Sequence, residues 1–189
     1  MRGIHYSAMS MILASIVVGI GLIWFLRAPT HPDPKPPVVL PGGVVVYHSP
    51  GTRVSFFGLE KLHAFDIGKY DRIAAELIAS NAVPAFGFGV AAAATDDDLA
   101  RIHDASYLRS LYSPEHLSRA IEVTIPSVFQ PFVNGRVLAP FRRATGATVA
   151  ATRDALRVGV GINLGGGYHH ARPKMGHGFC IYGDIALAV

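Results

Sequence analysis

The residues best suited to chemistry lie in one short stretch near the carboxyl end of the chain. Residues 165–173 read GGGYHHARP and residues 176–180 read GHGFC, so three of the nine histidines fall within nine residues. Imidazole titrates near neutral pH, so one of His169 and His170 could act as a neutral base while a carboxylate holds its neighbour charged. The three glycines free the backbone to bring a substrate close. Paired in this way, the two imidazoles suit metal-assisted hydrolysis.

Two other interpretations of this stretch stay open. His169 and His170 could bind a metal together with His177 and Cys180, although this spacing matches no common zinc pattern and adjacent residues rarely bind one ion. The stretch could also be only a polar turn that follows a strand, since short motifs are prone to false matches.

The elements before the histidines predict where they must lie. Residues 158–164 alternate Val, Ile and Leu with Gly and Asn, which predicts a strand whose glycine face allows close approach of a neighbouring helix. Val44–Tyr47 is a β-branched run suited to a buried strand. Helices alternating with these strands indicate an α/β fold with a mainly parallel sheet. Ligands in such sheets bind beyond the carboxyl ends of the strands.

Capping residues and apolar spacing predict the helices. The expected starts are Asp66, Thr95, Ser106, Ser113 and Asp184, and a further helix is expected over residues 148–157. Asp96–Asp98 could chelate a cation, but acids at a helix start are far commoner. Prolines 126, 131 and 140 are expected to break up the stretch before the long helix. His48, His63 and His103 are expected to be structural, hydrogen-bonding histidines.

The first 43 residues predict a membrane anchor and a linker. Ala8–Leu26 contains nineteen residues without a charge, enough to span roughly 30 Å of hydrocarbon as a helix. A cleaved signal peptide is the alternative, but its apolar region would be shorter and would end in an A-x-A-like site. We therefore predict an anchor over residues 1–27, a proline-rich linker over 28–43 and a globular domain over 44–189. The protein would be a single-pass membrane protein of undetermined sidedness.

Composition excludes several function classes. Half of the residues are hydrophobic and 16% are charged, which rules out intrinsic disorder as the main state. The net charge of +4 is spread along the chain, so we expect no direct nucleic-acid partner. The single Cys180 excludes an internal disulfide and any CxxC zinc or redox motif.

The chain from Val45 onward resembles the histone deacetylase superfamily, most closely its class IV branch. The matching pieces are, in order, VYHSP at 46–50, FGLEKLHAFD at 57–66, Asp97-Asp98-Leu99 with Ile102-His103 and Tyr107-Leu108, INLGGGYHH at 162–170, GFC at 178–180 and DIALA at 184–188. Several separated motifs in the right order make the resemblance specific. One departure is Ala64, where the family usually has proline.

The resemblance implies an arginase-deacetylase α/β fold, in which helices flank a mainly parallel sheet. It also implies removal of acyl groups from lysine side chains by zinc-activated water. His169 and His170 would be the tandem histidines that act as general base and acid. Gly167, Gly178 and Phe179 would bind the substrate, the last two as walls of a narrow tunnel. The implied partner is an acyl-lysine protein or a small acylated amine. Zinc fits this chemistry because it lowers the pKa of bound water to about 7 and polarises the amide carbonyl.

The resemblance also implies zinc ligands that this chain lacks. The family's ligands are an Asp and a His from an Asp-x-Asp-x-His motif and a later Asp, and a late Tyr assists the oxyanion. No Asp-x-His spacing occurs in the 189 residues, and the chain stops inside the apolar turn Ile185–Val189. We therefore expect the N-terminal portion of a deacetylase, inactive alone. The alternative is a non-catalytic, membrane-tethered module or a truncated remnant.

Overall fold

The computed structural model describes residues 31–55, 57–62 and 65–189. The membrane helix predicted over Ala8–Leu26 lies outside these residues, and so does His63. In the ranges that are described, no helix is both long enough and apolar enough to span a bilayer.

Two strands pair in parallel in the described part of the chain. Strand β1 is Val44–Tyr47 and strand β2 is Val160–Asn163, with Val46 opposite Ile162. The α/β fold and the parallel pairing are confirmed, and so are the bounds of β1. The second strand begins two residues later than predicted because the preceding helix ends only at Val158 and is followed by Gly159, whose φ is 127°.

Six α-helices accompany the strands in the described residues. They are α1 Lys69–Ala79, α2 Asp96–Ala100, α3 Ala105–Ser110, α4 Pro114–Ile121, α5 Ala139–Val158 and α6 Asp184–Ala188. Short 3-10 helices span Pro50–Thr52, Leu59–Leu62 and Ser127–Phe132, and a π-helical turn over Asn134–Leu138 leads into α5.

The predicted helix starts meet different outcomes. Thr95 caps α2 in a capping box, since its hydroxyl accepts from the backbone N–H of Asp98 while the Asp98 carboxylate accepts from the N–H of Thr95. Asp66 is wrong as a cap, because its carboxylate accepts from the N–H of Gly68, which itself precedes α1. Ser106 is also wrong as a cap, since α3 begins one residue earlier.

Helix α5 begins nine residues before the predicted start at 148. Pro140 lies in its first turn, where the missing N–H of proline has no intrahelical partner to lose. The expected break at Pro140 is therefore wrong, and the helix runs for 20 residues to Val158.

The glycine face of β2 lies against the backbone of α5, as the sequence predicts. A Cβ atom built on Gly161 would lie 2.0 Å from the carbonyl oxygen of Ala151. The opposite face of the strand is open, because Val160 and Ile162 are 47% and 41% exposed. The helix therefore holds β2 from one side only within the described residues.

His103, three residues after α2, forms hydrogen bonds with both ends of the segment between residues 172 and 183. Its Nδ1 atom lies 2.9 Å from the carbonyl oxygen of Arg172, and its Nε2 atom accepts from the N–H of Gly183 at 3.0 Å. The prediction of a structural, hydrogen-bonding histidine is confirmed at this position. Burial lowers the pKa of His103 below its ordinary value of 6.5.

We expect Gly161→Ala to lower the free energy of unfolding by roughly 2–3 kcal/mol, because its methyl group would overlap the Ala151 carbonyl. Denaturant unfolding of the full chain measures this loss. Gly183→Ala is the control, since the nearest atom to its Cβ would be Ile102 Cδ1 at an ordinary 3.5 Å, and we expect a change below about 1 kcal/mol. Equal losses in the two variants would contradict the close approach.

We expect acid to weaken the fold partly through His103. Because its pKa is lower in the folded state than the ordinary 6.5, the unfolded chain binds this proton more tightly. The contribution of neutral His103 to the free energy of unfolding is therefore complete above pH 6.5. It is lost as the pH falls from there toward the folded-state pKa of His103. The free energy of unfolding should fall by up to about 1.4 kcal/mol per pH unit in that window.

The His103→Gln variant should show a shallower fall in the free energy of unfolding over the same pH range. The exposed His116, in α4, supplies the control variant His116→Gln, which should keep the slope of the original chain. An identical slope in His103→Gln and the original chain would disprove the assignment.

Candidate active site

The loop after β2 carries both adjacent histidines to the surface at the carboxyl end of the strand. The Asn163 side chain accepts from the N–H of Gly165 at 3.1 Å, and the Tyr168 hydroxyl donates to the carbonyl oxygen of Gly165 at 2.8 Å. Gly167 turns the chain with a φ of 91°, a conformation that favours glycine. The next two residues are His169 and His170, and both are exposed.

The two histidine rings lie side by side. Their centroids are 4.1 Å apart, with an angle of 47° between the ring planes. The Nδ1 atom of His169 lies 2.9 Å from the carbonyl oxygen of Gly167. A carbonyl oxygen only accepts hydrogen bonds, so Nδ1 carries the hydrogen and Nε2 of the neutral ring keeps its lone pair. His169 is therefore arranged to accept a proton at Nε2.

A second segment, around Gly178, closes one side of this pair. A Cβ atom on Gly178 would lie 2.8 Å from Cδ2 of His170. The Glu122 carboxylate accepts from the N–H of Gly178 at 3.2 Å, and the same oxygen lies 3.6 Å from Nε2 of His177. The sequence gives no signal for Glu122, because it contacts a residue 56 positions away.

The expected carboxylate partner for the histidine pair is not seen. Over residues 65–189, no carboxylate forms an ion pair with His169 or His170. The nearby acid, Glu122, pairs with His177 instead. Among the described residues, the tautomer of His169 is fixed by the Gly167 carbonyl, and no acid holds either ring as an imidazolium.

Phe179 turns inward and is only 6% exposed. Its ring packs against Phe65 and Phe141 at centroid distances of 5.3 and 5.4 Å. These rings form part of the lining of a cavity of about 10 Å³, which has room for about one water molecule. The substrate-binding roles of Gly167, Gly178 and Phe179 stay predictions.

Cys180, the residue after Phe179, is a free and buried cysteine. Burial raises the pKa of its thiol, which leaves it a poor nucleophile. Among residues 31–55, 57–62 and 65–189, no three His, Cys, Asp or Glu side chains lie close enough together to hold a metal ion. The interpretation of His169, His170, His177 and Cys180 as metal ligands is therefore not supported, and these residues do not fit the zinc that the resemblance implies.

Comparison with known proteins identifies the family. The histone deacetylase domain family matches residues 63–189. Histone deacetylase 2 of Arabidopsis thaliana is 36% identical over 147 residues, which cover 77% of this chain and 38% of that protein. Acetoin utilization protein AcuC of Staphylococcus aureus (strain MRSA252) is 34% identical over 101 residues, which cover 50% of this chain and 25% of that protein.

The fold is also shared with a solved structure. The crystal structure of the HDA15 HD domain gives a TM-score of 0.52 at 20% identity, covering 77% of this chain and 41% of that one. The chain thus spans less than half of the length of each of these relatives. The family match includes strand β2 and the histidine loop and covers more than half of the chain, and the chain belongs to the histone deacetylase domain family.

Proposed function

We propose that this chain supplies the acid–base half of an active site that hydrolyses the amide of an acylated lysine. The observation that carries the proposal is the pair of exposed rings, 4.1 Å apart, at the carboxyl end of β2. Its support from relatives is the histone deacetylase domain match over residues 63–189.

The proposed reaction uses the two rings in turn. Nε2 of His169 accepts a proton from the attacking water, whose oxygen forms a bond to the acyl carbon. The amide C–N bond then breaks, and the leaving nitrogen takes a proton from His170, which enters the reaction as an imidazolium. His169 then releases its proton to solvent and His170 takes one up from solvent, so both rings return to their starting states. The products are a carboxylate and a free amine, either on a lysine side chain or on a small molecule.

Zinc, when present in such a site, activates the water and polarises the amide carbonyl. The described residues form no metal site, and the 189 residues contain no Asp-x-His spacing. We therefore assign the zinc ligands to residues that this chain does not include, and we propose that it is inactive alone. No step of the reaction is assigned to a metal held by these residues.

The proposed location is a membrane surface, with Ala8–Leu26 as a single-pass anchor and residues 28–43 as its linker. The support is the length of the uncharged segment in the sequence. A non-catalytic, membrane-tethered module is the second candidate function. It is favoured by the lack of a metal site among the described residues.

Two measurements on the full 189-residue chain test the proposal. Titration with zinc should show no tight one-to-one complex, and incubation with an acetylated lysine peptide should release no acetate. A chain that bound one zinc tightly and released acetate would show that the assignment of the ligands is wrong. Zinc binding without hydrolysis, abolished by His169→Ala with His170→Ala, would indicate a histidine-rich metal-binding protein instead.

The coding sequence after Val189 separates the two candidate functions. An in-frame Asp-x-Asp-x-His motif there would support the enzyme, because it would supply the ligands that this chain lacks. A stop codon would favour the non-catalytic module.

A further inference from the structure

We propose that Asp184 is a positioning residue for the tandem histidines, and that its buried carboxylate fixes the backbone from which His169 and His170 project. This inference rests on the proposed function, since it concerns the same pair of rings. Asp184 is the first residue of α6 and is 0% exposed. The sequence indicates only a helix start for it, so its contacts with the loop are new information.

Four donors converge on this carboxylate. One oxygen accepts from the N–H of Gly167 at 2.7 Å and from the hydroxyl of Thr148 at 2.6 Å. The other accepts from the N–H of Tyr168 at 2.7 Å and from the N–H of Ile185 at 2.9 Å. An ionised carboxylate accepts about four hydrogen bonds and donates none, so these partners match its capacity. Because the group is fully buried, losing one of these bonds would leave a polar atom without compensation.

The distribution of the donors separates positioning from helix capping. A residue that only capped α6 would accept from backbone N–H groups of α6, and Ile185 is the one donor of the four that belongs to that helix. Gly167 and Tyr168 directly precede His169 in the loop. The carboxylate therefore holds the two peptide units that lead into the histidine pair.

A second layer of hydrogen bonds holds the carboxylate's partners in place. The side-chain amide of Asn163, in β2, donates to the Thr148 hydroxyl and to the Ala144 carbonyl oxygen, both at 2.9 Å. Its oxygen accepts from the N–H of Gly165 at 3.1 Å. Strand β2, helix α5, helix α6 and the histidine loop thus meet in one connected network around the buried Asp184 carboxylate, which gives the loop a defined conformation.

The glycine before the contact shows how closely the loop approaches this network. A Cβ atom on Gly166 would lie 2.3 Å from the Thr148 hydroxyl oxygen and 2.6 Å from a carboxylate oxygen of Asp184. Any side chain here would push the loop away from the carboxylate. The glycine at 166 is therefore needed for contact with Asp184, a reason separate from the approach of a substrate.

Nuclear magnetic resonance of the uniformly isotope-labelled full chain tests the proposal without requiring zinc or turnover. The ring protons of His169 and His170 should give a strong nuclear Overhauser effect, because their centroids are 4.1 Å apart. In Asp184→Asn this signal should fall by about half or more, and amide exchange at Gly167 and Tyr168 should rise about tenfold or more. The rings of His103 and Tyr107, 5.2 Å apart, report whether the fold is intact.

Two further comparisons make the result specific. Thr148→Val removes one donor and should weaken the same signal, while Thr148→Ser retains the hydroxyl and should restore it. Asp98→Asn removes a carboxylate from the start of a different short helix, α2, and should leave the histidine signal unchanged.

An unchanged histidine signal and unchanged exchange in a folded Asp184→Asn would overturn the proposal. If Asp184→Asn also loses the His103–Tyr107 signal, the Thr148 variants decide. Loss in Thr148→Val alone, with rescue in Thr148→Ser and an intact fold, would support positioning. Loss of both signals in Thr148→Val as well would show a general structural role and overturn it. Acetate release by this chain would overturn the assignment of the zinc ligands and would leave all these outcomes unaffected.

Discussion

The direct contact between helix α5 and strand β2 is the constraint on which the rest of the described structure depends. The backbone of the helix reaches the strand because Gly161 has no side chain, and a Cβ atom there would lie only 2.0 Å from Ala151. The strand is in turn paired with the buried β1. Its carboxyl end is therefore fixed, and the loop that follows must leave the sheet at that point, where parallel sheets bind ligands.

The chemistry of the site follows from which groups are fixed and which are exposed. The contact of His169 with the Gly167 carbonyl selects one tautomer, in which Nε2 of the neutral ring can accept a proton. Both rings of the pair are exposed, whereas acid–base catalysis on an amide benefits from exclusion of water. The proposed site therefore needs further covering groups around the rings, as well as the metal ligands that the described residues do not form.

Features that depend on neighbouring residues could be predicted from the sequence. The cap at Thr95 and the strand Val44–Tyr47 need only local spacing and residue type, and both are confirmed. The glycine face of β2 was predictable too, because alternation along a strand shows which residues share a face. The family resemblance added the roles of the two histidines, which spacing alone left among three interpretations.

Features that join distant residues could not be predicted in this way. The start of α5 is not predictable from the local sequence, because Pro140 indicates a helix break unless it is known to lie in the first turn of the helix. Local sequence predicts only a helix start at Asp184. Its contacts with the loop are not predictable, because three of its four donors lie 16, 17 and 36 positions earlier in the chain. The packing of Phe179 against Phe65 is likewise not predictable from its own segment, because the two rings are 114 positions apart in the chain.

The central claim is that the adjacent histidines move protons at one reacting centre and do not bind the metal. Its most direct test is acetate release from an acetylated lysine peptide by a longer product that includes an Asp-x-Asp-x-His segment, with zinc content measured alongside. The account predicts that His170→Ala lowers kcat by about 10²–10⁴-fold while bound zinc is unchanged, and that His116→Ala affects neither. Undiminished turnover in His170→Ala, or loss of its zinc, would contradict the account.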